Sequence, residues 1–120
     1  MKICQLTCVH PRFDIRIFHK QCRSLATHGH DVTLVVADGL GDECKDKVKI
    51  IDVGRLPGRL NRIFKITYRV LKKAIELDAD IYHLHDPELI PVGLKLKRLG
   101  KKVVFDSHED VPKQLREKRP

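Results

Sequence analysis

Three short stretches put histidine at what read as the ends of buried strands, two of them beside acids: Val9-His10-Pro11, His83-Leu84-His85-Asp86-Pro87 and Ser107-His108-Glu109-Asp110. Histidine is the side chain whose charge is most easily tuned near neutral pH, so such groupings suit proton transfer, hydrogen bonding to a substrate or metal ligation. His83 and His85 lie two apart on a predicted strand and point to one face, His83 deeper and His85 nearer the mouth. Asp86 and Glu88 follow at the start of the next helix, where the macrodipole favours acids in any case, so a capped helix with a packed histidine is the competing reading. Two histidines and a carboxylate are suitable ligands for zinc or iron, but the continuation lacks the further histidines of a dinuclear hydrolase, and no metal is expected. His108 follows the last predicted strand and can act as general base, acid or hydrogen-bond donor; alternatively it caps the next helix together with Ser107. A Ser-His-Asp hydrolase is excluded by the lack of any G-x-S-x-G elbow.

The first loop, Val9-His10-Pro11-Arg12-Phe13-Asp14-Ile15-Arg16, stands where dinucleotide folds carry glycines. Residues 7–16 hold none, so close backbone approach to a pyrophosphate is ruled out there, and nicotinamide and flavin enzymes are disfavoured. Arg12 and Arg16 instead offer side-chain contact to a phosphate or carboxylate, against the alternative of plain solvent exposure.

These residues matter only if the fold gathers them. Residues 2–7 read as a short buried strand and 15–28 as a helix with Ile17, Phe18, Gln21, Cys22, Leu25 and Ala26 on its inner side, stopped by Gly29. The β-branched run from Asp31 to Ala37 reads as a strand buried on both faces. Asp38 to Asp42 is a loop, Val48 to Val53 a third strand, and Gly54 to Gly58 a second turn-rich connection. Residues 59–77 form the longest helical pattern. Ala79 to His85 is the fourth strand, Pro87 to Leu99 a helix ended by Gly100, and Lys102 to Asp106 the fifth strand. Strands alternating with helices predict an α/β fold: a Rossmann-like, doubly wound parallel sheet of about five strands in the order 3-2-1-4-5, with a switch point between strands 1 and 4. Ligands of such sheets bind outside the carboxyl ends of the strands, which is where the histidines fall.

Composition bounds the rest. A length of 120 residues suits one domain, and 42% apolar residues suffice for a core. The net charge of +8 favours an anionic partner. Cys4, Cys8, Cys22 and Cys44 form no C-x-x-C pair and follow no secretory signal, so reduced thiols in a cytoplasmic setting are expected. On the long helix, Leu60, Ile63, Phe64, Thr67, Leu71 and Ala74 fall on one side. Arg59, Arg62, Lys65, Arg69, Lys72 and Lys73 spread over roughly 140° of the other, at about 100° per residue. That face is either simply solvated or docks on acidic lipid. Few aromatics and no recognisable motif argue against nucleic acid.

Met1-Lys2-Ile3, the helix end His28-Gly29-His30-Asp31-Val32-Thr33-Leu34-Val35, the strand Ala79-Asp80-Ile81-Tyr82-His83-Leu84-His85-Asp86 and the strand Lys102-Val103-Val104-Phe105-Asp106-Ser107-His108-Glu109-Asp110 occur in this order. Together they resemble the N-terminal, acceptor-side domain of family 4-like glycosyltransferases of GT-B architecture, as found in capsule, exopolysaccharide or lipopolysaccharide synthesis. The resemblance implies retaining transfer of sugar from a nucleotide-sugar donor to a glycan or lipid-linked acceptor. It implies no cofactor, and a cytoplasmic protein peripheral on the inner face of the membrane. It makes His108 the residue that reaches the transferred sugar and assists the leaving group. His10, Asp14, Arg16, His85, Asp86, Glu109 and Asp110 are then expected to shape substrate binding, and the basic helix to meet anionic lipid. Residues 1–110 are expected to form the domain, with 111–120 leading toward a donor domain that this chain lacks, so that it is inactive alone. A nucleotide-sugar epimerase half, or a non-catalytic membrane-docking subunit of a split transferase, is the alternative. The family's paired glycines in the first loop are replaced here by Pro11-Arg12-Phe13-Asp14.

Overall fold

The computed structural model describes residues 1–106. Six strands form one sheet: β1 (Lys2–Leu6), β2 (Asp31–Val36), β3 (Glu43–Lys45), β4 (Val48–Asp52), β5 (Ile81–Leu84) and β6 (Lys102–Phe105). Their order is β3-β4-β2-β1-β5-β6. All pairings are parallel except that of β3 with β4. The expected order 3-2-1-4-5 is therefore present as β4-β2-β1-β5-β6, with β3 added as an antiparallel edge. β3 is three exposed residues with no apolar alternation to announce it. It is held by a two-residue hairpin at Asp46 and Lys47, both with positive φ (52° and 66°), which matches the twist of paired strands.

Three helical stretches cover the two faces. The first, α1, spans residues 15–27 and opens with wide π-type turns over Ile15–Cys22 before tightening over Arg23–Thr27. Asp14 starts it, its carboxylate accepting from the amides of Arg16 (2.9 Å) and Ile17 (3.1 Å). The wide first turn shows in the amide of His19 reaching back to the carbonyl of Asp14. Ile17, Phe18, Cys22 and Ala26 then pack on Val32, Leu34, Val36, Val48 and Ile50, which form one half of the core.

The opposite face carries α2 (residues 59–77) and α3 (residues 87–98). Ile66, Val70 and Ala74 of α2, with Leu89, Val92 and Leu96 of α3, cover Cys4, Leu6, Val35, Tyr82 and Leu84. The buried Tyr82 hydroxyl accepts from the amide of Ala79 (2.9 Å) and donates to the carbonyl of Ala74 (2.5 Å), tying the end of α2 to β5. Gly93 lets α3 approach closely: a Cβ there would lie 2.5 Å from the ring of Phe105.

The inner face of α2 differs from the expected one. Leu60 and Phe64 are exposed (70% and 69%), while Ile66 and Val70 are buried. The reason is a π-type segment, Arg62–Ile66, inside the helix. Each wide turn holds an extra residue, so a face projected at 3.6 residues per turn slips relative to the true one. Among the described residues no helix is long and apolar enough to cross a membrane.

Candidate functional site

The carboxyl ends of β1 and β5 meet at the sheet's switch point. β1 registers with β5 from Ile3 opposite Ile81 to Leu6 opposite Leu84, so the loop after Leu6 and the turn after Leu84 emerge together. Asp86, in that turn, is buried. Its carboxylate accepts from the amides of Cys8 (2.5 Å) and Val9 (3.1 Å) and from the Thr7 hydroxyl (3.0 Å). It makes no side-chain bond to the helix it precedes, so helix capping does not account for this acid. The Thr7 hydroxyl in turn accepts from the amide of His10 (3.2 Å). One carboxylate thus shapes the start of a glycine-free loop.

His10 completes this arrangement. Its Nε2 lies 3.3 Å from Asp86 Oδ1 and its Nδ1 3.8 Å from Asp14 Oδ2. The ring is a quarter exposed, enough to reach a ligand at the rim. Asp14 is mainly the cap of α1, and Arg16 is exposed beside it, lining with His10 and Phe13 a shallow hollow at the start of the helix. Cys8, in the same loop, is no thiolate: burial and then the adjacent Asp86 carboxylate push its thiol up.

Arg12 is neither solvated nor available to a ligand. It is buried, and its guanidinium grips Asp38 in bidentate fashion (2.7 and 2.6 Å), Glu43 (2.9 Å) and the carbonyl of Gly41 (2.7 Å). Hydrogen bonding to Arg12 holds the Asp38 carboxyl below its ordinary range. Asp52 secures the same loop from below, accepting from the amides of Gly39, Gly41 and Gly54. The glycines missing from the first loop therefore reappear in the second, and the arginine of the first loop locks the two together.

His83 and His85 share a face, as their spacing predicts, and stack with ring centroids 4.4 Å apart. Their depths are the reverse of the expected ones. His85 is 1% exposed, with its Nε2 hydrogen-bonded to Gln5, whereas the His83 side chain is 20% exposed. The bond to Gln5 of β1 ties this buried ring to the neighbouring strand. His83 Nε2 lies 3.4 Å from Asp106, which also accepts from Gln21 of α1 (3.1 Å). His83, His85 and Asp106 bring donor atoms within 4.8 Å of one another and are the described residues best placed to hold a cation. As they stand, protein partners occupy them. Asp106, Gln5, Gln21 and Thr7 were not among the expected site residues. The available signals were a polar residue interrupting each apolar strand and an acid at the end of β6.

Beside His10 a cavity of about 370 Å³ opens between the ends of β1, β2 and β4, lined by Cys8, Val9, Pro11, Ala37, Asp38, Arg55, Leu56 and Gly58 among others. On α2, Arg59, Lys65, Arg69 and Lys72 are exposed, Lys73 is half-buried, and the side chain of Arg62 lies outside the description. Arg69 donates to the carbonyl of Val53 (3.2 Å), and Lys73 pairs with Glu76 (3.2 Å). His108, Glu109 and Asp110 lie outside the described residues.

Comparison with known proteins gives the site a context. No curated protein matches the chain. A family model described as Glycosyltransferase Family 4 matches residues 16–120, leaving out the Pro11-Arg12-Phe13-Asp14 loop and taking in α1, the strand ends at Asp86 and Asp106, and the basic helix. An open, mostly parallel sheet with its polar rim at the switch point agrees with that match, and the chain belongs to the family 4 glycosyltransferases.

Proposed function

We propose that this chain forms the acceptor-side half of a retaining glycosyltransferase, with a second Rossmann-like domain supplying the donor half of the cleft. The observation that carries this reading is the rim at the switch point, where Asp86 fixes the loop of residues 7–10 and sets His10 at the mouth of a cavity. A polar rim of this kind binds and orients an acceptor; it lacks an activated nucleophile, consistent with Cys8 held as a thiol.

In this reading the donor is a nucleotide sugar and the reaction is transfer at the anomeric carbon. His108 hydrogen-bonds the transferred sugar and stabilises charge as the leaving group departs, with Glu109 and Asp110 beside it. His10, Asp14 and Arg16 face the acceptor. Asp86 positions them, and His85 supports β5 from inside. The acceptor is a glycan or lipid-linked sugar of a surface polysaccharide such as capsule or lipopolysaccharide. The basic residues of α2 hold the enzyme on the inner face of the cytoplasmic membrane.

The test is a longer form carrying both halves, incubated with a panel of labelled nucleotide sugars and membrane extract. Label should pass to the extract, and His108→Ala should cut the rate about 10²-fold, the scale of a lost transition-state hydrogen-bond donor. Full activity in that variant removes the assignment of His108. Free epimerised sugar formed with no acceptor present identifies an epimerase instead.

A further inference from the structure

β5 and β6 bring three ligand-type side chains together on the face that carries α1, and none of them lines the cavity beside His10. Alternate residues of a strand share a face. His83 registers with Gln5 of β1 and with Val104 of β6, so Gln5, His83 and His85 stand with Asp106, two residues beyond Val104. The amide of Asp106 donates to the carbonyl of Leu84 (2.9 Å), which fixes its backbone beside the two histidines. Donor atoms of His83, His85 and Asp106 all lie within 4.8 Å of one another. His83 Nε2 and Asp106 Oδ2 are 3.4 Å apart. That is longer than a good N–H···O bond, at about 3.2 Å or less, and close to the ligand-to-ligand edge of a tetrahedral zinc site, about 3.3 Å for bonds of about 2.0–2.1 Å.

The surroundings are those of a ligand set. Gln5 Oε1 accepts from His85 Nε2, which puts the ring proton on that nitrogen and the lone pair on Nδ1. Metal-bound histidines characteristically hydrogen-bond their other ring nitrogen to such an oxygen. Gln21 Nε2 donates to Asp106 (3.1 Å) and orients the carboxylate in the same manner. Each of these two amides keeps one buried atom, Gln5 Nε2 and Gln21 Oε1, with no hydrogen-bond partner among the described residues. Buried polar atoms are rarely left so, and an ion or its water is one way of satisfying them. Water carried by an ion can donate to Gln21 Oε1 and accept from Gln5 Nε2. The side chains of His83 and Asp106 are 20% and 37% exposed, which gives an ion access, while His85 is buried.

We infer that His83, His85 and Asp106 bind one divalent transition-metal ion of the zinc class, with water completing its shell. Two imidazoles and one carboxylate select such an ion over magnesium or calcium, which take oxygen ligands. The lack of further histidines argues against a dinuclear centre, but a single ion needs only these three residues and water. The contact between His83 and Asp106 is then the metal-free form of the site, and the ion replaces it. So bound, the ion cross-links the ends of β5 and β6, at the residue that precedes Ser107-His108 in the sequence. The inference does not rest on sugar transfer and is tested without it.

The test is titration of the untagged, metal-free chain with Co2+, a spectroscopic stand-in for zinc, followed by competition with Zn2+. One equivalent should bind and show the visible bands of a four-coordinate nitrogen and oxygen site. Zn2+ should displace it, whereas Mg2+ and Ca2+ should not. Asp106→Asn and His83→Gln, both at partly exposed side chains, should each weaken binding more than about 100-fold, and Gln21→Leu about tenfold, the scale of a lost supporting hydrogen bond. His28→Ala and Cys44→Ser should leave binding unchanged. Zn2+ at a hundredfold excess over its Kd should raise the Tm by about 10 °C in the parent chain and not in Asp106→Asn. Binding that survives both ligand variants, or thiolate bands that vanish with Cys44→Ser, puts the ion elsewhere and overturns the site. Displacement by Mg2+ overturns the ion class. No uptake of Co2+ or Zn2+ by the folded chain overturns the inference outright.

Discussion

The imidazole of His10 rests 3.3 Å from the buried carboxylate of Asp86, across the point where the sheet reverses its winding. Seventy-six residues of sequence separate the two, and the parallel pairing of β1 with β5 brings them together. The rim is therefore a product of strand register, and its weakest member is the carboxylate that every neighbouring donor shares.

Asp86→Ala should destabilise the chain by about 3 kcal/mol, because it strands the buried amide of Cys8 and the Thr7 hydroxyl without an acceptor. Asp86→Asn, which keeps one acceptor oxygen, should cost about half as much. His10→Ala, at a partly exposed ring, should cost under about 1 kcal/mol. Urea unfolding at neutral pH checks the order; equal midpoints for all three would contradict the role given to Asp86.

Arg12 gives the fold an acid-sensitive clamp. Asp38 has its carboxyl lowered below the ordinary 3.8 in the folded chain, first by the hydrogen bonds from Arg12. A group whose folded value is depressed stabilises the fold above its unfolded value and loses that contribution as pH falls through the folded one. Arg12→Met should thus lower stability by about 2 kcal/mol at pH 7. The deficit should shrink as pH drops below about 4. Thermal unfolding of both proteins from pH 7 to pH 3 measures it, and a constant difference across that range would refute the clamp.

Thiol labelling should be sharply uneven. Cys44 on the edge strand is exposed, whereas Cys4, Cys8 and Cys22 are buried. Burial pushes the Cys22 thiol up to about 12 and raises Cys4 and Cys8 as well. One equivalent of a thiol reagent should react rapidly at pH 8 and three more only in denaturant. Cys44→Ser should abolish the rapid phase. Fast labelling at Cys8 would mean that the first loop opens.

Tyr82→Phe removes only the hydroxyl that bridges Ala79 and Ala74. The amide of Ala79 then loses its buried acceptor, so a loss of about 1–2 kcal/mol is expected with the sheet intact. Hydrogen exchange should speed selectively at the end of α2. Uniformly faster exchange would show that the bridge serves the whole fold.

Much of the architecture was written locally. The β-branched run Asp31–Val36 and the apolar pattern around Ile17, Phe18, Cys22 and Ala26 each fix their own element, because burial rewards the matching period and penalises the other. Alternating strands and helices, with right-handed crossovers, then leave the observed strand order as the natural one. Short-range pattern reading failed where a period was broken or a partner was distant. The π-type segment Arg62–Ile66 shifted the inner face of α2, and β3 exists because a hairpin at Asp46 and Lys47 returns it to β4.

The sequence by itself determined which chemistry is present: histidines at strand ends, no glycines in the first loop, a helix rich in cations. Only the tertiary structure decided which of these groups are still available. Arg12 is consumed by Asp38 and Glu43, His85 is sealed behind Gln5, and Asp86 is turned inward to hold the loop of His10. Arg55 is exposed at the wall of the cavity. Charge and hydrogen-bonding capacity belong to residue types, but their satisfaction depends on partners brought within about 3 Å, and in this chain the deciding partners are 26 to 80 residues away.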